Sequence, residues 1–209
     1  MAMQEETLFI DGPVGELELR VATPTSWQAG LPVAICCHPH SLHGGSLQNK
    51  VVHIIAKTWH DLGAKVVRFN FRGVGKSQGE FDNGQGEQQD LLAVVKWLTD
   101  QAPGSVLWLA GFSFGAFVAL SAHAQITPQR LLLAAPPVDM YPTIEQIQVQ
   151  TPNWILVQGG QDEIVSAQGV KQWAEQQSHP AHIIWLEEAG HFFHGQLNIV
   201  SEQIKQLET

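Results

Sequence analysis

Residues 105–125 read SVLWLAGFSFGAFVALSAHAQ and carry the pattern that decides the fold. An apolar run over residues 105–110 leads directly into a G-x-S-x-G motif at residues 111–115, and an apolar-faced segment follows it. Strand, tight turn and helix form the context in which this motif holds its serine at a sharp, strained turn. We therefore expect Ser113 to stand at the end of a strand and at the N-terminus of a helix, where the helix dipole favours developing negative charge.

Short β-branched runs alternate with longer amphipathic segments along the rest of the chain. The alternation predicts a mainly parallel sheet with helices on both faces. Predicted strands cover residues 7–10, 16–23, 32–37, 65–71, 105–110, 130–135, 153–158 and 182–186; predicted helices cover residues 49–62, 86–101, 113–125, 166–177 and 195–207.

Two details of this pattern bear on the architecture. Inner runs such as PVAICC are apolar throughout, as in strands covered on both faces, whereas residues 16–23 alternate in polarity, which predicts a half-exposed edge strand. The connection over residues 136–152 has room for one small helix at most. We therefore expect residues 1–209 to form a single domain without an inserted cap.

Composition and charge narrow the range of partners. The chain has 11 basic and 20 acidic side chains and a formal net charge of −9, so nucleic acid is not an expected partner.

No window has the apolar length of a membrane span, and the N-terminal residues lack the basic start of a signal peptide. Cys36 and Cys37 are neighbours in a strand and point to opposite faces, so we expect two buried free thiols. These features predict a soluble, cytoplasmic protein.

Residues 70–79, NFRGVGKSQG, end like a phosphate-binding loop. Such a loop, G-x-x-x-x-G-K-[S/T], needs glycine at position 70, where this chain has Asn70, and a helix directly after the Lys-Ser pair. Residues 78–86 are instead too rich in glycine to be helical. We therefore expect a tight turn beside the sheet, with Lys76 at the surface, rather than a nucleotide site.

A serine hydroxyl becomes a strong nucleophile when a base takes its proton and a carboxylate orients that base. Among ten histidines, His191 has the best context, in the turn between the strand HIIWL and the final helix, and His194 is the alternative. Asp162 directly follows the strand NWILVQ and gives the chain order Ser…Asp…His. Glu163 and Asp139 remain alternative acids.

The same chemistry needs two backbone donors for an oxyanion. One is expected to be the N–H of Phe114, directly after the serine. The other is expected from the loop HPHSLHGG after residues 32–37, where the amide of His40 is favoured and that of Ser41 is the alternative. Pro39 is excluded because it has no N–H.

The histidines of this loop, spaced H-x-H-x-x-H, suggest a metal site, but no nearby carboxylate or cysteine completes a ligand set. We therefore expect no metal and no organic cofactor. His38 is expected to be hydrogen-bonded inside the fold, and His123, on the helix after the serine, to be structural.

Together these motifs resemble the α/β-hydrolase superfamily, and more narrowly the small cap-less serine esterases related to the dienelactone-hydrolase group. The resemblance spans residues 35–194 and is carried by HPHSLHGGSLQNKVV, VVRFNFRGVGKSQGEFDNGQGEQQDL, LWLAGFSFGAFVAL, GGQDEIV and GHFFH. It implies an eight-stranded, mostly parallel sheet and triad roles for Ser113, Asp162 and His191. Dienelactone hydrolases have a cysteine where this chain has Ser113. The family's D-x-R-G-x-G-x-S-like loop matches residues 70–77, with Asn70 at the aspartate position.

The expected function is a serine hydrolase, of the carboxylesterase type, that cleaves small or short-acyl esters through an acyl-enzyme. Its partner is a small-molecule ester, and its site walls are expected to include Phe114, Phe117, Phe192 and His40. A thioesterase or peptidase with the same triad is the alternative enzyme, and a non-catalytic interaction protein is the alternative from a different class.

Overall fold

The structure is a computed structural model that describes residues 3–208, with side chains described through residue 207. The described residues form one eight-stranded sheet. Its strands are β1 (Glu6–Gly12), β2 (Gly15–Ala22), β3 (Val33–Cys37), β4 (Lys65–Phe69), β5 (Leu107–Phe112), β6 (Arg130–Ala134), β7 (Trp154–Gly159) and β8 (His182–Leu186). The helices are α1 (Lys50–Asp61), α2 (Gln85–Gln101), α3 (Phe114–Ile126), α4 (Pro142–Glu145), α5 (Ala167–Glu175) and α6 (Leu197–Glu208), with a 3₁₀ turn over Ser41–His43.

The strand order is β1-β2-β4-β3-β5-β6-β7-β8, as expected for a mostly parallel sheet. β2 pairs antiparallel with both β1 and β4, and every pair from β4 to β8 is parallel. The prediction that residues 16–23 form an edge strand was wrong, because β1 covers that edge. The polar and apolar alternation of β2 has another cause: one face packs Leu17, Leu19 and Val21 into the core while Glu16, Glu18 and Arg20 lie on the other face.

Helices cover both faces of the sheet and divide the core in two. On one face α2, α3 and α5 contribute apolar side chains, and on the other α1 and α6 do so. Cys36 and Cys37 lie in different halves of this core, as their adjacency in a strand predicted, and both are buried free thiols. Burial raises the pKa of Cys36 to about 12 and that of Cys37 well above its ordinary value, so both thiols are unreactive at neutral pH.

The parallel strands bring several loops to one edge of the sheet. β3 lies beside β5 with Cys37 opposite Gly111, and β7 lies beside β8 with Gly159 opposite Leu186. The turns that follow these four strands therefore meet at the carboxyl ends of the strands, where sheets of this kind bind ligands. The connection from β6 to β7 contains only the four-residue helix α4, which confirms the expected lack of room for a cap. No helix within residues 3–208 is long and apolar enough to cross a membrane.

Residues 70–79 brace the sheet. The guanidinium of Arg72 pairs with the Asp90 carboxylate at 2.8 Å, and both side chains are buried. Asn70 donates from Nδ2 to Glu18 Oε2 at 2.9 Å, and the backbone N–H of Lys76 donates to the same oxygen at 2.8 Å. The amide that a phosphate loop would turn toward its ligand is thus bonded to a carboxylate of this chain. The Lys76 side chain is exposed, as predicted.

Candidate active site

Ser113 connects β5 to α3 in a strained conformation. Its φ of 54° and ψ of −119° lie in a region that residues other than glycine rarely adopt. The backbone holds it there: its N–H donates to the Ala134 carbonyl at 2.8 Å, and its carbonyl accepts from Ala116 at 2.8 Å. Strand β5 ends at Phe112, two residues later than predicted, and α3 begins at Phe114, so Ser113 alone makes the turn.

The two glycines of the motif allow this turn sterically. A Cβ on Gly111 would collide with the carbonyl of Gly115, and a Cβ on Gly115 would collide with the carbonyls of Cys37 and His38. The first contact presses α3 against the end of β5, and the second presses it against the end of β3. The motif therefore places the serine turn beside the loop that follows β3.

His191 and Asp162 are brought together from the turns after β8 and β7. His191 Nδ1 lies 2.9 Å from Asp162 Oδ2 and 3.1 Å from Oδ1. Both side chains are buried, with exposed fractions of 2% and 0%. Because Nδ1 faces a carboxylate it must carry the proton, which leaves Nε2 of the neutral ring as an acceptor.

The Asp162 carboxylate is held on both oxygens. Oδ1 accepts from the amides of Ile164 and Val165 at 2.9 and 2.8 Å, and Oδ2 accepts from Gln158 Nε2 at 3.1 Å. Burial alone would raise the pKa of Asp162, but the hydrogen bonds from His191, Val165 and Ile164 outweigh it and lower that pKa. The carboxylate is therefore ionised at neutral pH and can stabilise a positive imidazole.

The alternative acids, Glu163 and Asp139, and the alternative base, His194, are not part of the hydrogen-bonded pair of His191 and Asp162. Glu163 accepts the backbone N–H of His191 at 3.1 Å and does not contact its ring, so it fixes the turn rather than the tautomer. Asp139 is exposed and accepts from the amide of Ser166 at 3.4 Å. His194 is exposed and packs against Phe192, and it does not line the cavity described next.

Ser113 and His191 line one cavity of about 190 Å³. Within the described part of the chain, the Ser113 hydroxyl makes no hydrogen bond, and such contacts often form only with substrate in place. The lining combines apolar and polar side chains and contains no Asp or Glu among the described residues. Its other members are Pro39, His40, His43, Gly44, Gly45, Asn49, Phe114, Pro137, Met140, Tyr141, Ile164 and Phe192.

The loop after β3 reaches this cavity through His40. Between residues 3 and 208, the backbone N–H groups of His40 and Phe114 donate no hydrogen bond, and neither does that of Ser41, the alternative to His40. A Cβ on Gly45 would collide with the carbonyls of Pro39 and His40, so the loop can fold back only with glycine there. Two expected oxyanion donors thus come from segments that the motif glycines hold together.

His38 anchors this loop inside the fold. Its Nε2 accepts from the Phe71 amide at 3.1 Å, so Nδ1 carries the proton and donates to the Pro39 carbonyl at 2.7 Å. Burial lowers the pKa of His38 to about 4, which keeps the ring neutral.

His123 is similarly buried: its Nδ1 contacts the Leu120 carbonyl and its Nε2 accepts from the Gln150 amide. Groups of three or more His, Cys, Asp or Glu placed to hold a metal are absent from residues 3–208.

Three of the four expected wall residues, His40, Phe114 and Phe192, line the cavity, but Phe117 does not. Phe117 is buried and stacks on Tyr141, with ring centroids 4.1 Å apart, and of these two rings Tyr141 lines the cavity. Sequence reasoning also missed Asn49, whose Oδ1 caps α1 by accepting from Val51 at 2.9 Å. An Asn directly before an apolar-periodic segment signals a helix cap, but nothing in the pattern places it at the site.

Comparisons with known proteins identify the family of the chain. A family model described as X-Pro dipeptidyl-peptidase (S15 family) matches residues 11–150. An uncharacterized protein of Rickettsia prowazekii is 41% identical over 82% of this chain and 75% of its own length. A Xanthomonas campestris protein described as an α/β serine hydrolase without lid superimposes with a TM-score of 0.92 at 41% identity, covering 99% of this chain and 94% of that one. An α/β serine hydrolase homologue from Coxiella burnetii gives a TM-score of 0.92 at 42% identity, covering 99% and 98%.

The family model covers most of the chain, and two structures more than 40% identical share its whole fold. The resemblance read from the motifs is therefore confirmed at the level of the family. The chain belongs to the α/β serine hydrolases, in the family that the S15 peptidase model defines.

Proposed function

We propose that this serine hydrolase is a carboxylesterase that acts on esters with small or short acyl groups. One observation carries the proposal. Ser113, at a strained and glycine-flanked turn, lines the same cavity as His191, whose ring is hydrogen-bonded to the buried Asp162.

Acylation uses the three side chains in sequence. His191 Nε2 takes the proton of the Ser113 hydroxyl as the oxygen attacks the ester carbonyl, and the resulting imidazolium is stabilised by Asp162. The tetrahedral oxyanion accepts hydrogen bonds from the N–H of Phe114 and from that of His40 or Ser41. The imidazolium then gives its proton to the departing alkoxide, which leaves as an alcohol.

Deacylation repeats these steps with water as the nucleophile. His191 removes a proton from water as it attacks the acyl-enzyme, and the same proton returns to Ser113 when the acid departs. The base, the acid and the oxyanion donors of both steps belong to the chain, and the ester and water are the reactants.

The cavity supports small substrates. Its volume of about 190 Å³ is below the usual range for sites that enclose drug-sized ligands, so an acyl group of a few carbons fills it. Burial and the neighbouring His43 lower the pKa of His40, so the His40 ring is neutral at neutral pH. An uncharged acyl group is therefore compatible with the cavity wall at His40.

A peptidase is the second candidate, favoured by the description of the family model that this chain matches. An X-Pro dipeptidyl-peptidase must accept the ammonium group at a peptide N-terminus, and such a buried charge needs a carboxylate partner. The described cavity lining contains none. This difference ranks esters, with thioesters as their chemical neighbours, ahead of X-Pro peptides.

Labelling with a fluorophosphonate tests the nucleophile. We expect one covalent adduct on the wild-type protein and none on Ser113→Ala. Ser121→Ala, which changes another serine of α3, is the matched control and should label fully. Absence of the adduct from the wild-type protein would favour a non-catalytic interaction protein, and retention in Ser113→Ala would mean that another residue is the nucleophile.

A substrate panel tests the bond. We expect kcat/KM to be largest for para-nitrophenyl acetate or butyrate, to fall with longer acyl chains, and to be far smaller for Ala-Pro-para-nitroanilide. A larger kcat/KM for the anilide would overturn the ester assignment in favour of the peptidase while leaving the nucleophile in place.

A further inference from the structure

We infer that Gln158 is a positioning residue for the catalytic carboxylate, an inference that rests on the proposed function. Gln158 lies in β7 and is fully buried. Its Nε2 donates to Asp162 Oδ2 at 3.1 Å and to the Gly159 carbonyl at 3.1 Å. Within residues 3–208, Asp162 receives its other hydrogen bonds from His191 and from two backbone amides.

The orientation of the Gln158 amide follows from its surroundings. The reverse orientation would place Oε1 against two acceptors, the Asp162 carboxylate and the Gly159 carbonyl. With Nε2 in that place, Oε1 is buried and has no hydrogen-bond partner among the described residues. A buried acceptor without a partner is unfavourable. A methionine at this position would fill a similar volume and would bury no unpaired acceptor. The contact with Asp162 is what glutamine adds at this position.

This contact fixes the plane of the carboxylate. Two backbone amides hold Oδ1, and Gln158 and His191 share Oδ2. Without the Gln158 donor, Oδ2 keeps only its contact with His191, so the carboxylate plane and the orientation of the imidazole are held less firmly. A donor to the ionised carboxylate also offsets part of the negative charge that stabilises an imidazolium at His191.

The test is Gln158→Met, which keeps the side-chain length and removes the amide. We expect kcat for para-nitrophenyl acetate to fall about tenfold because the triad is misoriented. KM should change little, because Gln158 does not line the cavity. The acid limb of kcat/KM should move to higher pH, by up to about one unit, because more of the Asp162 charge then acts on the imidazolium. Gln158→Glu, which sets a second carboxylate beside Asp162, should move the limb further in the same direction.

Gln177→Met is the matched control. Gln177 is also buried, but it bonds the Trp173 carbonyl and the Val149 amide, none of which lines the cavity. It should lower the melting temperature and leave kcat and the acid limb unchanged. An acid limb that stays in place in both Gln158 variants, or that moves equally in Gln177→Met, overturns the inference.

Labelling of the wild-type protein separates this result from a failure of the proposed function. A wild-type protein that reacts with fluorophosphonate at Ser113, together with an unmoved acid limb in Gln158→Met, removes the role of Gln158 and leaves the esterase proposal standing. A wild-type protein that takes up no label removes both.

Discussion

Two glycine-rich turns follow the strands on either side of β3, and each contains a serine. After β4, Ser77 is buried; its hydroxyl donates to the Asn70 carbonyl at 2.6 Å and accepts from the Glu18 amide at 2.9 Å. After β5, the Ser113 hydroxyl lines a cavity and makes no hydrogen bond to the described residues. The same residue type in similar turns thus serves structure in one and is available for chemistry in the other.

The two turns are distinguished by whether their polar groups are hydrogen-bonded, and not by their similar sequence patterns. In residues 70–79 the polar groups of Asn70, Arg72 and Ser77 all bond within the chain. At the other turn, the Ser113 hydroxyl and the Phe114 amide lack partners in the described residues, and Ser113 itself is strained. Unpaired polar groups and backbone strain tend to persist where function requires them.

The largest expected effect comes from Ser113→Ala. Loss of the nucleophile should lower kcat for para-nitrophenyl esters on the order of 10⁶-fold, with the melting temperature nearly unchanged, because the hydroxyl makes no bond that the fold needs. Steady-state kinetics and thermal unfolding measure the two quantities. Turnover within a hundredfold of wild type would show that the two serines differ less than their surroundings imply.

Asp162→Asn should come next, with a fall in kcat of about 10⁴-fold. The amide keeps the shape of the carboxylate but favours the wrong imidazole tautomer, so His191 Nε2 no longer accepts the proton of Ser113. Asp139→Asn is the control, since that carboxylate contacts Ser166 rather than His191. A greater loss in Asp139→Asn than in Asp162→Asn would identify Asp139 as the acid of the triad.

The sequence predicted the site's components where they follow the ends of parallel strands. Asp162 and His191 stand just after β7 and β8, and strand ends are readable from apolar runs. It failed where a distant segment decides the outcome. Phe117 lies behind Tyr141, which is contributed by the segment before α4, and helical spacing carries no information on that covering. The contact of Gln158 with Asp162 likewise depends on how one turn folds back on its strand.

The bracing role of residues 70–79 can be broken at its ion pair. Arg72→Met leaves the buried Asp90 carboxylate without its partner and should lower the free energy of unfolding by about 3–5 kcal/mol. The double variant Arg72→Met with Asp90→Leu should recover most of that loss, because the Asp90 charge is removed together with its partner. Urea unfolding of the wild-type protein, Arg72→Met, Asp90→Leu and the double variant gives the coupling energy. A loss under 1 kcal/mol in Arg72→Met would mean that the turn does not depend on the pair.

His38 links the loop after β3 to residues 70–79. It follows β3, and its Nε2 accepts from the backbone amide of Phe71. Its pKa is lowered to about 4 from an ordinary value of 6.5, so the folded state binds fewer protons than the unfolded state between those values. Stability from this residue is full above pH 6.5 and declines as pH falls to 4, by about 3 kcal/mol in total. His38→Gln, which does not titrate, should flatten the dependence of unfolding free energy on pH in that window. An unchanged slope would mean that the pKa of His38 is the same in the folded and the unfolded protein.

The smallest effect tests the comparison most directly. Ser77→Ala removes the hydroxyl that bonds both Asn70 and Glu18, and it leaves the Glu18 amide without an acceptor. The free energy of unfolding should therefore fall by about 1–3 kcal/mol, whereas fluorophosphonate labelling of the folded protein should proceed at the wild-type rate. Ser113→Ala should give the reverse pattern, with labelling lost and stability kept. If Ser77→Ala also slowed labelling, the turn after β4 would contribute to the active site through the loop that His38 ties to it, and the two serines would differ in degree rather than in kind.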